Sequence, residues 1–249
     1  MLIYGKTDIG MVRKENQDSY DIRPASPSGH TIGVVCDGMG GPAGGQLASG
    51  VAVKAYMDYL EGNLQSGMDV PDALRIAKEA VSEANRAVWT EAQKMGYPSM
   101  GTTLVAAVAC ASGVAVVNVG DSRAYCLYEN RIFRITRDHS LVQDMIERGE
   151  LTEEEARVHP KRNLITRALG PDENVLCDSY VCHMQKGSSL LLCTDGLMNT
   201  VTDEEILEIS RNCAPERCPE ELVGAAKRRG APDNVTVVVM RNAEGGGSL

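Results

Sequence analysis

Hydrophobic positions along the chain fall into short runs divided by polar turns, and their period changes from segment to segment. Thr31–Cys36 is a compact apolar run and predicts a strand that ends at Asp37-Gly38-Met39-Gly40-Gly41. From Gly44 to Leu60, positions Leu47, Val51, Ala55 and Met57 or Tyr59 recur near helical spacing. Val70–Met95 is the longest helical pattern, with Leu74, Ala77, Val81, Ala84 and Val88 at threes and fours and Pro71 suited to the start. Thr103–Cys110 and Val114–Val119 read as strands about an Ala111-Ser112-Gly113 turn, and Arg123–Tyr128 and Arg131–Thr136 as a hairpin about Glu129-Asn130. Ser140–Arg157 is charged and helical with a break near Gly149. Ser189–Cys193 predicts a strand, Asp203–Ser210 and Pro219–Arg229 helices, and Asn234–Met240 a last strand.

Hairpins join most of the strands, and the long helices stand in separate blocks. This is not the βαβ alternation of a parallel sheet. It predicts antiparallel sheets covered by helices, an α+β layered fold. No Gly/Ser or Pro-rich linker interrupts the chain, so residues 1–242 are expected to form one domain, with residues 243–249, which include Gly245-Gly246-Gly247, as a frayed tail.

Composition narrows the function. The 249 residues are 43% apolar and 24% charged, ordinary for a globular protein and too apolar for disorder. The net charge of −9 removes the bulk attraction that drives non-specific nucleic-acid binding, and equally disfavours an anionic membrane surface. The eight cysteines include no Cys-x-x-Cys; Cys36, Cys110 and Cys193 sit inside apolar runs, where reduced thiols act as small hydrophobes. Zinc at Cys177, Cys182 and His183 matches no usual zinc spacing. Lys6 and Asp8 interrupt the opening residues, so no signal-peptide core is seen there, and the expected compartment is the reducing cytoplasm. Met95–Gly120 is uncharged for 26 residues, enough to cross a bilayer, but its glycines, Pro98 and central turn predict two buried strands instead.

An aspartate followed by a small residue closes three apolar runs: Val35-Cys36-Asp37-Gly38, Val119-Gly120-Asp121-Ser122 and Cys193-Thr194-Asp195-Gly196. Pro232-Asp233-Asn234 stands just before another. Asp-Gly is also a hairpin signal. However, Asp37 and Asp195 lead into helical patterns, which a hairpin does not explain. Carboxylates gathered at one end of a sandwich raise one another's pKa, and a hard divalent cation such as Mg²⁺ or Mn²⁺ relieves that cost. Two such ions lower the pKa of a water and clamp a phosphoryl group. Upstream, Arg13 and Asp18 could add a phosphate fork and a further carboxylate.

Eight stretches in order carry a resemblance: Arg13-x-x-Asn16-Gln17-Asp18, Asp37-Gly38-Met39-Gly40-Gly41, Gly101-Thr102-Thr103, Gly120-Asp121-Ser122-Arg123, Thr136-Arg137-Asp138-His139-Ser140, His159 through Gly170, Cys193-Thr194-Asp195-Gly196-Leu197, and Asp233-Asn234-Val235-Thr236. Together they resemble the type 2C protein phosphatases, metal-dependent serine/threonine phosphatases, in their compact bacterial form. The resemblance implies an α-β-β-α sandwich with two central antiparallel sheets. It implies hydrolysis of phosphoserine and phosphothreonine by water activated at two Mn²⁺ or Mg²⁺ ions, with no covalent intermediate. Asp37 would bridge the ions, the Gly38 carbonyl, Asp195 and Asp233 would complete one shell, and Asp18 would serve the other. Asp121 would hold a third, weaker ion with Asp195, and Arg13 would bind substrate phosphate. Residues from about 141 to 161 would form a mobile flap. The implied partners are phosphoprotein substrates, a serine/threonine kinase and its targets among them, and a monomer is expected.

One departure stands out. The family usually carries a histidine directly after the bridging Asp-Gly or five positions after the aspartate, and here Met39 and Pro42 stand there. That loss keeps a second reading open, a non-catalytic module that binds phosphoproteins. A phosphatase of sigma-factor regulators usually lacks the Arg13-type motif, and a metal-dependent nuclease would want a basic or aromatic stripe that this chain does not show. His139 and His159 are expected to be structural, and Lys227-Arg228-Arg229 to be a solvated helix end, with docking of an acidic phosphoprotein as the lesser reading.

Overall fold

The computed structural model describes residues 1–24 and 26–242; the expected tail at 243–249 lies outside them. Two antiparallel sheets lie face to face. The first has the order β1 (Leu2–Asp8), β11 (Val235–Arg241), β10 (Ser189–Cys193), β7 (Arg123–Tyr128), β8 (Arg131–Arg134). The second runs β2 (Asp18–Arg23), β3 (Thr31–Met39), β5 (Leu104–Cys110), β6 (Gly113–Val119), β9 (Asp178–Cys182), and the short β4 (Gly101–Thr102) pairs with β3. Helices α1 (Pro42–Asn63) and α2 (Val70–Met95) cover the second sheet. Helices α5 (Asp195–Met198), α6 (Asp203–Asn212) and α7 (Cys218–Arg228) cover the first. The antiparallel sheets covered by helices that the pattern predicts, and the α-β-β-α sandwich that the resemblance implies, are the fold.

Strand alternation builds three apolar layers. On β5, Leu104, Ala106 and Val108 face α1 and α2, while Val105, Ala107 and Ala109 enter the layer between the sheets. Both faces are buried, which is why this stretch and β6 read as continuous apolar runs. No helix among the described residues is long and apolar enough to cross a membrane. Ala73, Ala77, Ala80, Ala84 and Ala92 line the buried face of α2 and let it approach the sheet closely. Its N-cap Asp69 accepts from the Asp72 N–H, and Gly96 in the left-handed region closes it.

Four strands had no pattern to announce them: the two-residue β4, and β1, β2 and β9, which are sheet edges. In β2 (Asp-Ser-Tyr-Asp-Ile-Arg) only Tyr20 and Ile22 pack between the sheets, so its sequence looks like a polar loop. Pairing with β3 makes it a strand. The expected strand Thr31–Cys36 runs on to Met39, because Asp18 pairs with Asp37 and Thr102 with Gly38. The stretch 140–157 divides into α3 (Leu141–Glu147) and α4 (Glu153–Arg157), with Gly149 at φ 71° between them.

Candidate active site

The site lies at one end of the layer between the sheets, where its apolar stripe gives way to carboxylates. On β3, Val35 is the last apolar member of the inward stripe and Asp37 the next inward position. Asp18 stands opposite Asp37 in register, so both project from the same face. Asp195 opens α5 directly after β10, and Asp233 precedes β11, both on the facing sheet. Asp121 follows β6 at the turn made by Gly120, whose φ of 104° favours glycine.

Polar neighbours anchor the Asp18 and Asp195 carboxylates and the Asp37 backbone. The Asp18 Oδ2 accepts hydrogen bonds from Thr236 Oγ1 at 2.6 Å and Thr194 Oγ1 at 2.9 Å, tying the two sheets together at this end. The Asp37 N–H donates to Thr103 Oγ1 at 2.9 Å, and its carbonyl accepts from the Thr103 N–H and the Thr102 hydroxyl. Asp195 Oδ2 accepts from the Asn199 amide at 3.0 Å. Gly38 is fixed by close backbone approach: a Cβ there would stand 2.0 Å from the Gly45 carbonyl oxygen of α1. The Met39 methyl packs close to Gly101. The side chain of Pro42 lies outside the described residues.

Asn234 secures the loop that carries Arg13. Its Oδ1 accepts from the Gln17 N–H at 2.8 Å, and its Nδ2 donates to the carbonyls of Ile9 and Glu15. Arg13 is 54% exposed and reaches Asp233 at 2.7 Å. Asn234, Thr194, Thr236 and Thr103 all lie within the motifs noted above. Their roles were not assigned there, because each acts through a partner 42 or more residues distant.

His139 is structural, as expected. It grips Gly120 twice, its N–H donating to the Gly120 carbonyl at 2.9 Å and its Nδ1 accepting from the Gly120 N–H at 3.0 Å. That bond places the ring proton on Nε2, which faces Asp178 Oδ2 at 3.2 Å, and Arg167 donates to the other Asp178 oxygen at 2.8 Å. Burial pushes the His139 imidazole below its ordinary pKa, so the ring stays neutral. In the 141–161 segment, Arg137 holds α3 through Asp144 and Glu147. At the basic end of α7, Lys227 pairs with Asp8 and Arg229 with Glu205. Cys177 packs on the α1–α2 side of its sheet and Cys182 on the inter-sheet side, so the two do not form a zinc site.

The electrostatics of the cluster are those of crowded like charges. Burial first, then Asp18, Asp195, Asp121 and Asp233, push the Asp37 carboxyl well above the usual range. Burial and then Asp195 and Asp138 bring Asp121 to about 8. Burial of Asp18, opposed by its two threonines and reinforced by Asp195 and Asp233, brings it to about 7. Burial and Asp233 bring Asp195 to about 6. Asp18 Oδ1 and Asp195 Oδ1 are buried and accept no hydrogen bond. An all-oxygen set with two buried, unsatisfied carboxylate oxygens fits a hard divalent cation. Among the described residues no group of three or more His, Cys, Asp or Glu side chains is spaced to hold a metal ion, and Asp233 is engaged by Arg13.

Comparison with known proteins agrees with this geometry. A family model for protein phosphatase 2C matches residues 12–223. The serine/threonine phosphatase stp of Listeria welshimeri is 35% identical over 240 residues, 94% of this chain and 93% of its own. The crystal structure of the serine/threonine phosphatase Stp1 from Staphylococcus aureus superposes with a TM-score of 0.89 at 33% identity, covering 98% of this chain and 96% of that one. The catalytic domain of the serine/threonine protein phosphatase PstP, solved with two manganese ions, gives 0.85 at 32% identity over 97% of this chain and 98% of its own. Fold and relatives define a protein serine/threonine phosphatase. The chain belongs to the protein phosphatase 2C family.

Two predictions follow from the geometry. A carboxyl pKa raised by folding stabilises the protein below about pH 4, and that contribution is lost as pH rises through the folded value. In chelator, Asp121→Asn and wild type should therefore unfold alike in urea near pH 4. The variant should become the more stable by at least about 1 kcal/mol near pH 9; a gap that does not widen with pH contradicts the electrostatic account. His139→Ala strands the Gly120 N–H and should cost about 2 kcal/mol of stability. A loss under about 0.5 kcal/mol would show that the Gly120 turn does not depend on the imidazole.

Proposed function

We propose that this cluster holds two divalent cations, Mn²⁺ or Mg²⁺, for the hydrolysis of phosphoserine and phosphothreonine esters in proteins. Asp37 would be shared by the two ions; Gly38 through its carbonyl, Asp195 and Asp233 would serve one ion, Asp18 the other, and Asp121 with Asp195 a third, weaker one. The observation that carries this reading is the pair of buried, unsatisfied oxygens on Asp18 and Asp195. Such ions, when bound, supply Lewis-acid polarisation of the phosphoryl group and a water of lowered pKa.

The chain's own residues supply the rest. Arg13 is exposed enough to leave Asp233 and fork onto two phosphoryl oxygens, for which a guanidinium is shaped. The Thr194–Asp18–Thr236 bridge keeps the two sheets in register at the site, so that carboxylates from both face one substrate. The segment at 141–161 acts as a flap beside it, and Arg137 is its tether. The natural substrates are phosphoproteins, with a serine/threonine kinase and its targets the chemically matched source, and the chain acts as a monomer in the cytoplasm.

No histidine stands at position 39 or 42 to protonate the leaving oxygen, and His139 has both ring nitrogens engaged. A positioned acid contributes about 10²–10⁴ in rate, most where the leaving group is a poor one. Turnover should therefore favour an aryl phosphate, which leaves without help, over a phosphothreonine peptide. Pro42→His should raise peptide turnover by about tenfold or more while leaving the aryl rate nearly unchanged; no gain on peptide would show that the lost acid is not what limits it.

The central test is phosphate release from a phosphothreonine peptide and an aryl phosphate with Mn²⁺, with Mg²⁺ and with EDTA. Release should require metal and fall by at least about 10² in Asp195→Ala. A folded chain that binds metal and releases phosphate from neither substrate would instead be a phosphoprotein-binding module, the reading that Met39 and Pro42 favour.

A further inference from the structure

Two cysteines outside the site meet between the sheets. On β7, Tyr125 and Leu127 point to the helices of the first sheet, while Ala124 enters the inter-sheet layer. Alternation sends Cys126 the same way as Ala124. Cys126 stands opposite Leu190, itself a member of that layer. On β9, Tyr180 and Cys182 pack against the same layer from the second sheet. The two thiols lie near enough to each other across that layer to perturb one another's ionisation. β7 lies one strand from the edge of its sheet, and β9 is the edge of the other, so the pair sits toward one open side of the sandwich. Both cysteines are half-buried, free and within reach of a small oxidant.

We propose that Cys126 and Cys182 are a redox modification site, closing under peroxide to a disulfide that staples the two sheets and reopening under thiol reductant. The Cys126 sulfur attacks a peroxide oxygen, breaking the O–O bond and giving a sulfenic acid and one water. The Cys182 sulfur then displaces the hydroxyl, which leaves as a second water with the Cys182 proton. Two thiols and one hydrogen peroxide become one disulfide and two waters. The proximity of the two thiols supports this order: Cys182 lowers the Cys126 thiol to about 7, while Cys182 itself is pushed up. A thiol near ambient pH is the better attacking group. Cys36 and Cys193 are fully buried, and burial pushes both thiols up. Cys213 and Cys218, a second pair near each other, lie on the far side of the first sheet.

The bond would close a long loop of chain, which restrains the unfolded state most. Peroxide treatment should therefore raise Tm by roughly 5–10 °C, reversibly with dithiothreitol. Non-reducing digestion of the oxidised wild type, after alkylation, should yield a peptide linking Cys126 to Cys182. Cys126→Ser and Cys182→Ser should each abolish the Tm rise, and Cys213→Ser should keep it. The proposal is overturned if Cys126 and Cys182 both emerge alkylated, if the only linked peptide joins Cys213 to Cys218, or if both serine variants retain the rise. Should either variant fail to fold, the digest of the wild type decides alone.

Discussion

Several carboxylates share one end of the inter-sheet layer, and their mutual repulsion sets the terms for the rest of the molecule. Asp18, Asp37, Asp121 and Asp195 are held where burial and one another make ionisation unfavourable. A protein core does not tolerate such a group without compensation. The compensation visible in the chain is partial: two threonines on Asp18, an asparagine on Asp195 and an arginine on Asp233. The oxygens left over are the strongest structural argument for cations as the missing counter-charge.

The sandwich exists to present that arrangement rigidly. Three apolar layers fix the sheets, and their last residues before the carboxylates are fully buried. Polar side chains then take over the positioning. Thr194 and Thr236 join the sheets through Asp18, Asn234 holds the Arg13 loop, and His139 holds the turn that carries Asp121. None of these need touch the substrate. Their value lies in fixing donor atoms that would otherwise move apart, which is how a site gains affinity before its ligand arrives.

Membership of the phosphatase family also frames what is unusual here. The carboxylate frame is kept, while the histidine positions hold Met39 and Pro42. The methyl group of Met39 packs close to Gly101 of β4, a packing role. On the reading proposed above, such a site would separate two contributions to phosphate ester hydrolysis, electrostatic stabilisation and protonation of the leaving group. The thiol pair at the side of the sandwich is independent of both, because it faces the apolar layer from strands that reach the site only at their other ends.

The sequence by itself determined much. The long helices, the buried strands of the second sheet and the aspartates at strand ends were legible, because each rests on local periodicity or on a carboxylate next to a small residue. The family stretches then supplied a role for each of those aspartates. The edge strands β1, β2 and β9 were not legible, since an edge strand buries only alternate residues and its hydrogen bonds come from a partner remote in sequence. Nor were the roles of Asn234, Thr194, Thr236 and Asp178, whose partners lie far along the chain. The resemblance implied a role for the Gly38 carbonyl; only the fold shows why the residue is glycine, since the Gly45 carbonyl of α1 passes within 2.0 Å of where a Cβ would stand. Local pattern set which residues carry charge and which are buried. Only tertiary structure decided which charges face one another, because that depends on how two sheets with no local signal for their pairing stack at one end.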